Sequence, residues 1–327
     1  MEGFFNKKKI FVAGHKGLVG SALVRELSSL KNCEVLKADR LILDLTNQKE
    51  TQDFLCKEKP DIVFLAAARV GGILENNTKR AEFIYQNVMI QSNVIDACYK
   101  AEVSRLIFLG SNCIYPKEAE NPVKERQLLT GPLESTNEPY ALAKIAGTKM
   151  CESYNKQYGT RYLTAMPANI YGPGDHYDLE KCHVFPALIR KIFEAKRHGH
   201  ESIIVWGTGL PRREFLHSSD LAIACMKMAS LSDEQIDKYT ELPNGTLFNV
   251  GMGTDFEIRD LAYKICEIAG FKGNVVFDRS KPDGTMKKLL DTTKIKKIGW
   301  NPKFRLLDGM KETLSDFEQR YLSGQIL

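Results

Sequence analysis

Tyr140 and Lys144, spaced four residues apart, have the residue types and spacing for acid–base chemistry. Pro139 precedes them and suits the first turn of a helix, so both side chains are predicted on one helix face. An ammonium beside a phenol stabilises the phenolate and lowers the phenol pKa from about 10. The pair therefore predicts a general acid working near neutral pH, with an ordinary surface pair as the alternative.

Three further side chains have the chemistry to act on a ketone and on the carbons beside it. Ser111 follows an apolar run at 105–109 that predicts a buried strand, so its hydroxyl would donate to a carbonyl oxygen at the strand end. Cys113 lies two positions later, and His183 lies in the second half of the chain. A thiol and an imidazole on opposite faces of a ring would remove and return a proton. The alternative is two unrelated structural residues.

Three glycines, Gly14, Gly17 and Gly20, follow an apolar run at 9–13 and precede a helical pattern at 21–30. Glycines allow a tight turn and a close approach to a pyrophosphate, and the helix N-terminus supplies amide donors. The spacing is G-x-x-G-x-x-G, and its position between a strand and a helix predicts a dinucleotide-binding loop.

The choice of nicotinamide cofactor rests on two adjacent residues with opposite charges. Asp39 is predicted to end the second strand, at 34–38, where a carboxylate would bond a ribose 2′-hydroxyl and favour NAD. Arg40 would pair with a 2′-phosphate and favour NADP. The residues alone leave both cofactors open.

Strand and helix patterns alternate through to about residue 170, and the run at 61–67 is continuously apolar. Such alternation predicts an α/β fold: a Rossmann-type doubly wound parallel sheet with a smaller C-terminal α/β substrate lobe. We assign 1–172 to a dinucleotide-binding domain and 173–327 mainly to the substrate-binding lobe. Segments near 217–250 are expected to return to the first domain.

The composition of the 327 residues is that of an average globular protein, with 43% apolar residues and a net charge of +5. Basic and acidic residues are interspersed, so we expect no nucleic-acid partner. The longest apolar run, at 62–68, is too short to span a bilayer, and the N-terminus lacks a secretory pattern. We therefore expect a cytoplasmic protein without a membrane partner. The eight scattered cysteines form no C-x-x-C pair, and no metal site is predicted.

Beyond these features, the chain resembles the GDP-L-fucose synthase family, the GDP-4-keto-6-deoxy-mannose 3,5-epimerase/4-reductases of the extended short-chain dehydrogenase/reductase superfamily. The resemblance covers nearly the whole chain. The matching segments are AGHKG (13–17), RVGGI (69–73), NN (76–77), FIYQN (83–87), SNCIYP (111–116), PLE (132–134), TNEPYA (136–141), KIAG (144–147), CESYN (151–155), NIYGP (169–173), HVFP (183–186), WG (206–207), REFLH (213–217) and KPDGT (281–285).

The resemblance implies NADPH as the cofactor, a GDP-sugar as the substrate and a homodimer. It assigns reduction to Ser111, Tyr140 and Lys144, and epimerisation to Cys113 and His183. The implied cofactor contacts are Gly14, His15, Lys16, Gly17, Leu18, Val19, Gly20, Arg40, Leu109, Gly110, Ser111, Asn112, Lys144, Pro167, Ala168, Asn169, Ile170 and His183. The implied substrate contacts are Lys191, Trp206, Arg213, Asp283 and Lys288.

The activity implied is conversion of GDP-4-keto-6-deoxy-D-mannose to GDP-L-fucose by epimerisation at C3 and C5 and then reduction at C4. In this scheme Cys113 acts as a thiolate. One alternative is a C4 reductase of a related GDP-4-keto-deoxy sugar, hexose or heptose, without epimerase activity. A 4,6-dehydratase would show an Asp-Glu pair where Asn112-Cys113 stands. A non-catalytic nucleotide-binding regulator would not need Ser111, Tyr140 and Lys144.

Overall fold

The computed structural model describes residues 2–281 and 283–326. Pro282 of the KPDGT segment, Met1 of the first predicted domain and Leu327 of the second lie outside the described residues. The strands are β1 (Lys9–Ala13), β2 (Glu34–Leu36), β3 (Ile62–Leu65), β4 (Arg105–Leu109), β5 (Tyr162–Pro167), β6 (Asn169–Tyr171), β7 (Ser202–Trp206), β8 (Arg212–Arg213), β9 (Phe215–His217), β10 (Leu247–Val250), β11 (Phe256–Glu257), β12 (Asn274–Asp278) and β13 (Lys287–Lys288).

Helices follow most of these strands, as a doubly wound fold requires. The α-helices are α1 (Glu2–Phe5), α2 (Leu18–Ser28), α3 (Gln48–Glu58), α4 (Ile73–Thr78), α5 (Arg80–Lys100), α6 (Glu138–Tyr158), α7 (Val184–His198), α8 (Ser218–Ala229), α9 (Asp233–Thr240), α10 (Ile258–Ala269), α11 (Thr293–Lys297) and α12 (Leu306–Leu322). Short 3-10 turns lie at Asn112–Ile114 and Glu125–Gln127.

A six-stranded sheet in the order β10-β5-β4-β3-β1-β2, parallel at every pairing, forms the centre of the fold. All residues of β3, β4 and β5 are buried, which explains why β3 is wholly apolar and why β4 and β5 are apolar except for Arg105 and Thr164. The predicted Rossmann-type sheet is therefore confirmed. The second strand is shorter than expected: β2 ends at Leu36, and Asp39 lies three residues beyond it, not at its end.

Alternate residues of β1 serve two separate cores, one on each face of the sheet. Ile10 and Val12 pack in the cluster that contains Leu23 of α2, whereas Phe11 packs in the cluster that contains Val94 of α5. Burial on both faces leaves the carboxyl ends of the strands as the open edge. In the sheet, β1 has β2 on one side and β3 on the other, so the direction of strand addition reverses at β1. Such a reversal leaves a crevice between β1 and β3 at the carboxyl ends of the strands.

The second half of the chain builds a smaller α/β lobe around its own apolar cluster. Residues of α7, α10 and α12 pack there with β7, which pairs in parallel with β12. A small sheet places β8 between β11 and β13. β10 pairs with β5 in the main sheet. The division at residues 172 and 173 stays a prediction.

Candidate active site

The glycine loop lies between β1 and α2, at the crevice of the sheet. Gly14 has a φ of +83°, and a Cβ there would lie 2.6 Å from the Ala67 nitrogen. A Cβ on Gly20 would collide with the Gly14 carbonyl. The two outer glycines are therefore required by the backbone itself. Gly17 differs, because a Cβ there would meet only the Gly14 oxygen, at 3.5 Å.

Gly17 caps the N-terminus of α2 with an extended backbone, and no side chain fills the cap. The amide groups of the first turn are therefore not satisfied by a capping side chain, and they and the helix dipole favour an anion at this end. Leu18 and Val19 form this first turn. The loop fits the pyrophosphate of a dinucleotide.

Beside the loop, the Asp39 carboxylate is held by two basic side chains of the loop. Lys16 Nζ lies 2.8 Å from Asp39 Oδ1, and His15 Nε2 lies 3.2 Å from the same oxygen. The Lys16 contact lowers the pKa of Asp39. Arg40 is exposed next to this pair. The structure thus brings both residues that bear on cofactor choice to one end of the crevice.

The proposed acid–base residues converge where β4 meets α6. Tyr140 lies in the first turn of α6, which has a proline in its opening turn as expected. Lys144, one turn later, is buried and donates from Nζ to the Leu109 carbonyl oxygen at 2.8 Å. Ser111, two residues beyond β4, lies close enough to the Tyr140 phenol to act on its pKa. These contacts bring Ser111, Tyr140 and Lys144 into one group.

The pKa of Tyr140 differs from the expectation. Burial raises the pKa of the phenol well above its usual value, and the nearby Ser111 side chain opposes this only in part. The expected lowering by Lys144 is therefore wrong for this structure. Burial also lowers the pKa of Lys144 to about 8. Tyr140 thus holds its proton at neutral pH, the form that a general acid needs.

Cys113 lies in the same group, buried in the 3-10 turn that follows Ser111. Its backbone N–H donates to the Ser111 hydroxyl oxygen at 3.4 Å. Burial raises the pKa of the thiol, whereas the Ser111 hydrogen bond and the charges of Lys288 and Lys144 lower it. Burial prevails, so the thiol is protonated at neutral pH in this structure, which differs from the thiolate of the sequence-based scheme.

His183 lies at the N-cap of α7, on the substrate lobe. Its side chain is exposed to solvent, yet the surrounding protein lowers its pKa below the usual value. The loop before His183 is bonded to the loop before α4, because the Gly72 N–H donates to the Lys181 carbonyl oxygen at 2.6 Å. A neutral imidazole there is free to exchange a proton.

The predicted substrate residues form two connected clusters. In the first, Arg213 of β8 and Lys288 of β13 are register partners in neighbouring parallel strands. Burial lowers the pKa of both, and Asp283 opposes this at Arg213. Lys288 also interacts electrostatically with Cys113. The cluster therefore connects a basic anion site to the acid–base group.

The second cluster surrounds Trp206, which is 58% exposed. Lys191 Nζ lies 5.8 Å from the centre of its indole ring and donates to the Ile204 carbonyl oxygen at 3.0 Å. Asp283 accepts hydrogen bonds from Thr208 N at 2.7 Å and Thr208 Oγ1 at 2.8 Å. An exposed indole flanked by cations suits a planar base with a nearby phosphate.

The remaining predicted cofactor residues lie along the carboxyl edge of the sheet. Leu109 ends β4, and a Cβ on Gly110 would collide with Met166 of the neighbouring strand. Asn112 begins the 3-10 turn that contains Cys113. Pro167 ends β5, followed by Ala168, Asn169 and Ile170. Their contact with a cofactor stays a prediction.

Glu214 lies in the REFLH segment (213–217), whose pattern alone indicates no role for it. It is 1% exposed, and its carboxylate accepts N–H bonds from Gly253 at 2.6 Å and Leu290 at 3.0 Å. Its carbonyl oxygen accepts from Asn169 N at 3.1 Å. The only signal in the sequence for a buried structural carboxylate was an acidic residue between Arg213 and the apolar residues of β9. Its partners lie too far along the chain to be predicted.

Among residues 2–281 and 283–326, no group of three or more His, Cys, Asp or Glu side chains is arranged to hold a metal ion. None of the helices within the same ranges combines the length and apolar character needed to cross a bilayer.

This parallel fold with a glycine loop and a Ser-Tyr-Lys group defines a dinucleotide-dependent enzyme class. The profile of the NAD dependent epimerase/dehydratase family matches residues 10–251. The chain belongs to this family.

Within this family, the chain is similar to proteins that act on GDP-sugars. A GDP-L-fucose synthase of Sinorhizobium fredii is 50% identical over 310 residues, covering 95% of each chain. Among solved structures, a GDP-mannoheptose C4 reductase from Campylobacter jejuni with NADP bound is 40% identical, with a TM-score of 0.86, covering 95% of this chain and 98% of that one. A GDP-L-fucose synthetase from Naegleria fowleri bound to NADP is 26% identical, with a TM-score of 0.86, covering 97% and 96%.

Proposed function

We propose that this protein is an NADPH-dependent epimerase-reductase that converts GDP-4-keto-6-deoxy-D-mannose to GDP-L-fucose. The observation that carries the proposal is the position of Cys113 inside the Ser111, Tyr140 and Lys144 group. A reductase needs only the latter three side chains. Similarity to a named GDP-L-fucose synthase at 50% identity supports the substrate.

In the proposed epimerisation, the 4-keto group acidifies the hydrogens on C3 and C5 of the sugar. Cys113, after its thiol proton has left to solvent, takes a proton from one face of the ring, and His183, after taking up a proton from solvent, returns one on the opposite face. Ser111 and Tyr140 donate hydrogen bonds to the enolate oxygen, because charge develops there as the proton leaves. Lys144 and Lys288 favour the thiolate electrostatically against the effect of burial.

In the proposed reduction, NADPH held at the glycine loop would supply the hydride that C4 receives. Tyr140 donates its proton to the oxygen as negative charge develops, and Ser111 keeps the oxygen in place. Lys144 orients the tyrosine helix through its bond to Leu109. Arg213 and Lys288 neutralise the pyrophosphate of the GDP-sugar, and Lys191 with Trp206 holds its nucleotide. His15, Lys16 and Arg40 bind the adenosine end of the cofactor.

A second candidate is a C4 reductase without epimerase activity, favoured by the 40% identity to the Campylobacter jejuni reductase. Incubation with GDP-4-keto-6-deoxy-mannose and NADPH in heavy water separates the two. Deuterium at C3 and C5 together with NADPH oxidation supports the bifunctional enzyme. Oxidation without deuterium at these carbons supports the reductase alone, and no oxidation contradicts both.

Cys113→Ser is the diagnostic variant for the same experiment. We expect it to lose deuterium incorporation while retaining its fold. Cys56→Ser, at a half-buried thiol of α3, is the matched control and should label like the wild type. Equal labelling in Cys113→Ser would remove Cys113 from the mechanism.

We also propose a homodimer and a cytoplasmic location. All eight cysteines are free thiols, which suits a reducing compartment such as the cytoplasm.

For the dimer, the exposed aromatic Tyr85, in α5, is available for contact with a second copy. Light scattering of the purified protein measures its mass directly, and a mass of one chain at working concentration would contradict the dimer.

A further inference from the structure

The bridging segment, residues 69–78, has no role in the mechanism proposed so far. It follows β3 of the main sheet and includes α4. Its Gly72 N–H donates to the Lys181 carbonyl oxygen at 2.6 Å, and Lys181 lies two residues before His183. This main-chain bond joins the part of the chain that follows β3 to the loop that carries His183.

The absence of a side chain at residue 72 allows this close approach. Gly72 has a φ of −68° and a ψ of −179°, a backbone conformation that other residues adopt without strain. A Cβ there would lie 2.9 Å from the Cys182 carbonyl oxygen and 3.2 Å from the Lys181 carbonyl oxygen. Contact with the His183 loop, and not backbone conformation, therefore requires a glycine. An added methyl group would push that loop away.

The bridging segment is held in place by buried amide side chains. Asn76 donates from Nδ2 to the carbonyl oxygens of Gly71 at 2.7 Å and of Gly72 at 3.0 Å. The backbone of Arg69 exchanges two hydrogen bonds with the Asn87 side chain of α5, both at 3.0 Å. The Gly72 N–H is therefore presented from a turn that is fixed at both ends.

The loop on the other side of the contact is also closed on itself. The N–H groups of Lys181 and Cys182 donate to the Asp178 carbonyl oxygen at 3.0 Å and 2.7 Å. His183 follows as the N-cap of α7. A displacement at Lys181 is therefore passed on to His183. Cys113 is placed separately, by the turn that follows β4.

We propose that Gly72 is a positioning residue for epimerisation, because it sets the distance between His183 and the sugar face opposite Cys113. This inference rests on the proposed epimerase activity. With His183 displaced, Cys113 still takes a proton from the sugar, and the enolate takes a proton back from the same thiol on the same face. The sugar then keeps its configuration, since inversion needs the returning proton to come from His183.

Deuterium labelling of GDP-4-keto-6-deoxy-mannose in heavy water without NADPH isolates this step. Because the Cys113 thiol exchanges its proton with solvent, deuterium returned by Cys113 marks sugar of the original configuration. Deuterium delivered by His183 marks inverted sugar, and nuclear magnetic resonance distinguishes the two at early times. Gly72→Ala should lower the inverted fraction of the labelled sugar about tenfold, since misplacing a reacting group by a fraction of an ångström has effects of this order.

Gly71→Ala is the matched control in the same segment. Its Cβ would meet the Glu75 carboxylate and the Phe83 ring, which lie outside the His183 loop. The inverted fraction should therefore equal that of the wild type. An equal fall in Gly71→Ala and Gly72→Ala would overturn the inference, because the contact with the His183 loop would then not be the cause.

Asn76→Ala is a second variant, and it decides the outcome if Gly72→Ala does not fold, as measured by thermal unfolding. It removes the amide that holds the turn, so the inverted fraction should fall in the same direction. A wild-type inverted fraction in folded Gly72→Ala, or in Asn76→Ala where Gly72→Ala is unfolded, would overturn the inference and leave the proposed function intact. A wild type that neither labels nor inverts the sugar would overturn the proposed epimerase activity itself.

Discussion

Lys144 donates a hydrogen bond from its ammonium to the Leu109 carbonyl oxygen at 2.8 Å, and this bond joins α6 to the carboxyl end of β4. It fixes the position of Tyr140 relative to Ser111, which lies two residues beyond Leu109. Burial lowers the pKa of Lys144 to about 8. The position of Tyr140 therefore depends on an ammonium that loses its proton as pH rises through about 8.

The first prediction concerns the pH dependence of reduction. An ammonium is present below its pKa and is lost above it, so kcat for NADPH oxidation should fall as pH rises through about 8. Lys144→Met removes the group, which should lower kcat roughly 100-fold and remove this limb of the pH profile. Steady-state rates from pH 6 to pH 10 provide the measurement. A falling limb that persists in Lys144→Met would assign the titration to another group.

The second prediction concerns the phenol of Tyr140. Because burial keeps this phenol protonated, its proton is available for the sugar oxygen. Tyr140→Phe retains the ring and removes the hydroxyl, so kcat for reduction should fall by about 10²- to 10⁴-fold. Stopped-flow oxidation of NADPH under single-turnover conditions measures the chemical step.

Binding provides the control for this variant, because the phenol is not expected to hold NADPH tightly. The dissociation constant of NADPH should stay within a few-fold of the wild type, and the unfolding temperature should change little. A Tyr140→Phe enzyme that reduces the sugar at the wild-type rate would exclude Tyr140 as the acid.

The sequence predicted those features that depend on local pattern. Burial on both faces made β3 wholly apolar and β4 apolar after Arg105, and Pro139 marked the start of α6. The strand end at Leu109 and the tyrosine helix were therefore predictable. The carboxyl ends of parallel strands share one edge, which brought Ser111 toward Tyr140.

Features that depend on three-dimensional surroundings were not predictable. The spacing of Tyr140 and Lys144 suggested a lowered phenol pKa, but desolvation prevails and the ammonium bonds to Leu109 instead. The contact of Asp39 with Lys16 joins residues 23 positions apart, with α2 and β2 between them, so no local pattern specifies it. The carboxylate of Glu214 bonds to groups 39 and 76 positions away.

The third prediction separates two roles of glycine in the phosphate loop. Gly17 has an ordinary φ of −73° and space for a Cβ, so Gly17→Ala should fold normally. Its methyl group would occupy the approach to the helix N-terminus, and NADPH affinity should fall at least tenfold. Gly20→Ala is the contrasting variant, because its methyl group collides with the Gly14 carbonyl and should lower the unfolding temperature. Calorimetry measures both quantities, and an unchanged affinity in Gly17→Ala would place the pyrophosphate elsewhere.

The fourth prediction concerns Glu214, which we regard as a positioning residue for the segment that carries Lys288. Its carboxylate accepts the N–H of Leu290, two residues after Lys288. Glu214→Ala leaves the N–H groups of Gly253 and Leu290 without a partner, which should cost about 1–3 kcal/mol of the free energy of unfolding. Glu214→Gln keeps one carbonyl acceptor and should cost less. In both variants KM for the GDP-sugar should rise more than kcat falls, with the glutamine variant closer to the wild type.

The pH dependence of stability provides an independent measurement for Glu214. Burial raises the pKa of Glu214 to about 7, above its value in the unfolded chain. Its contribution to stability is therefore full below about pH 4.5 and is lost as pH rises through about 7. Glu214→Gln has no such titration, so the loss of unfolding temperature between pH 5 and pH 8 should be smaller than in the wild type. An equal loss in both proteins would show that Glu214 is ionised throughout this range, held so by the N–H groups of Gly253 and Leu290.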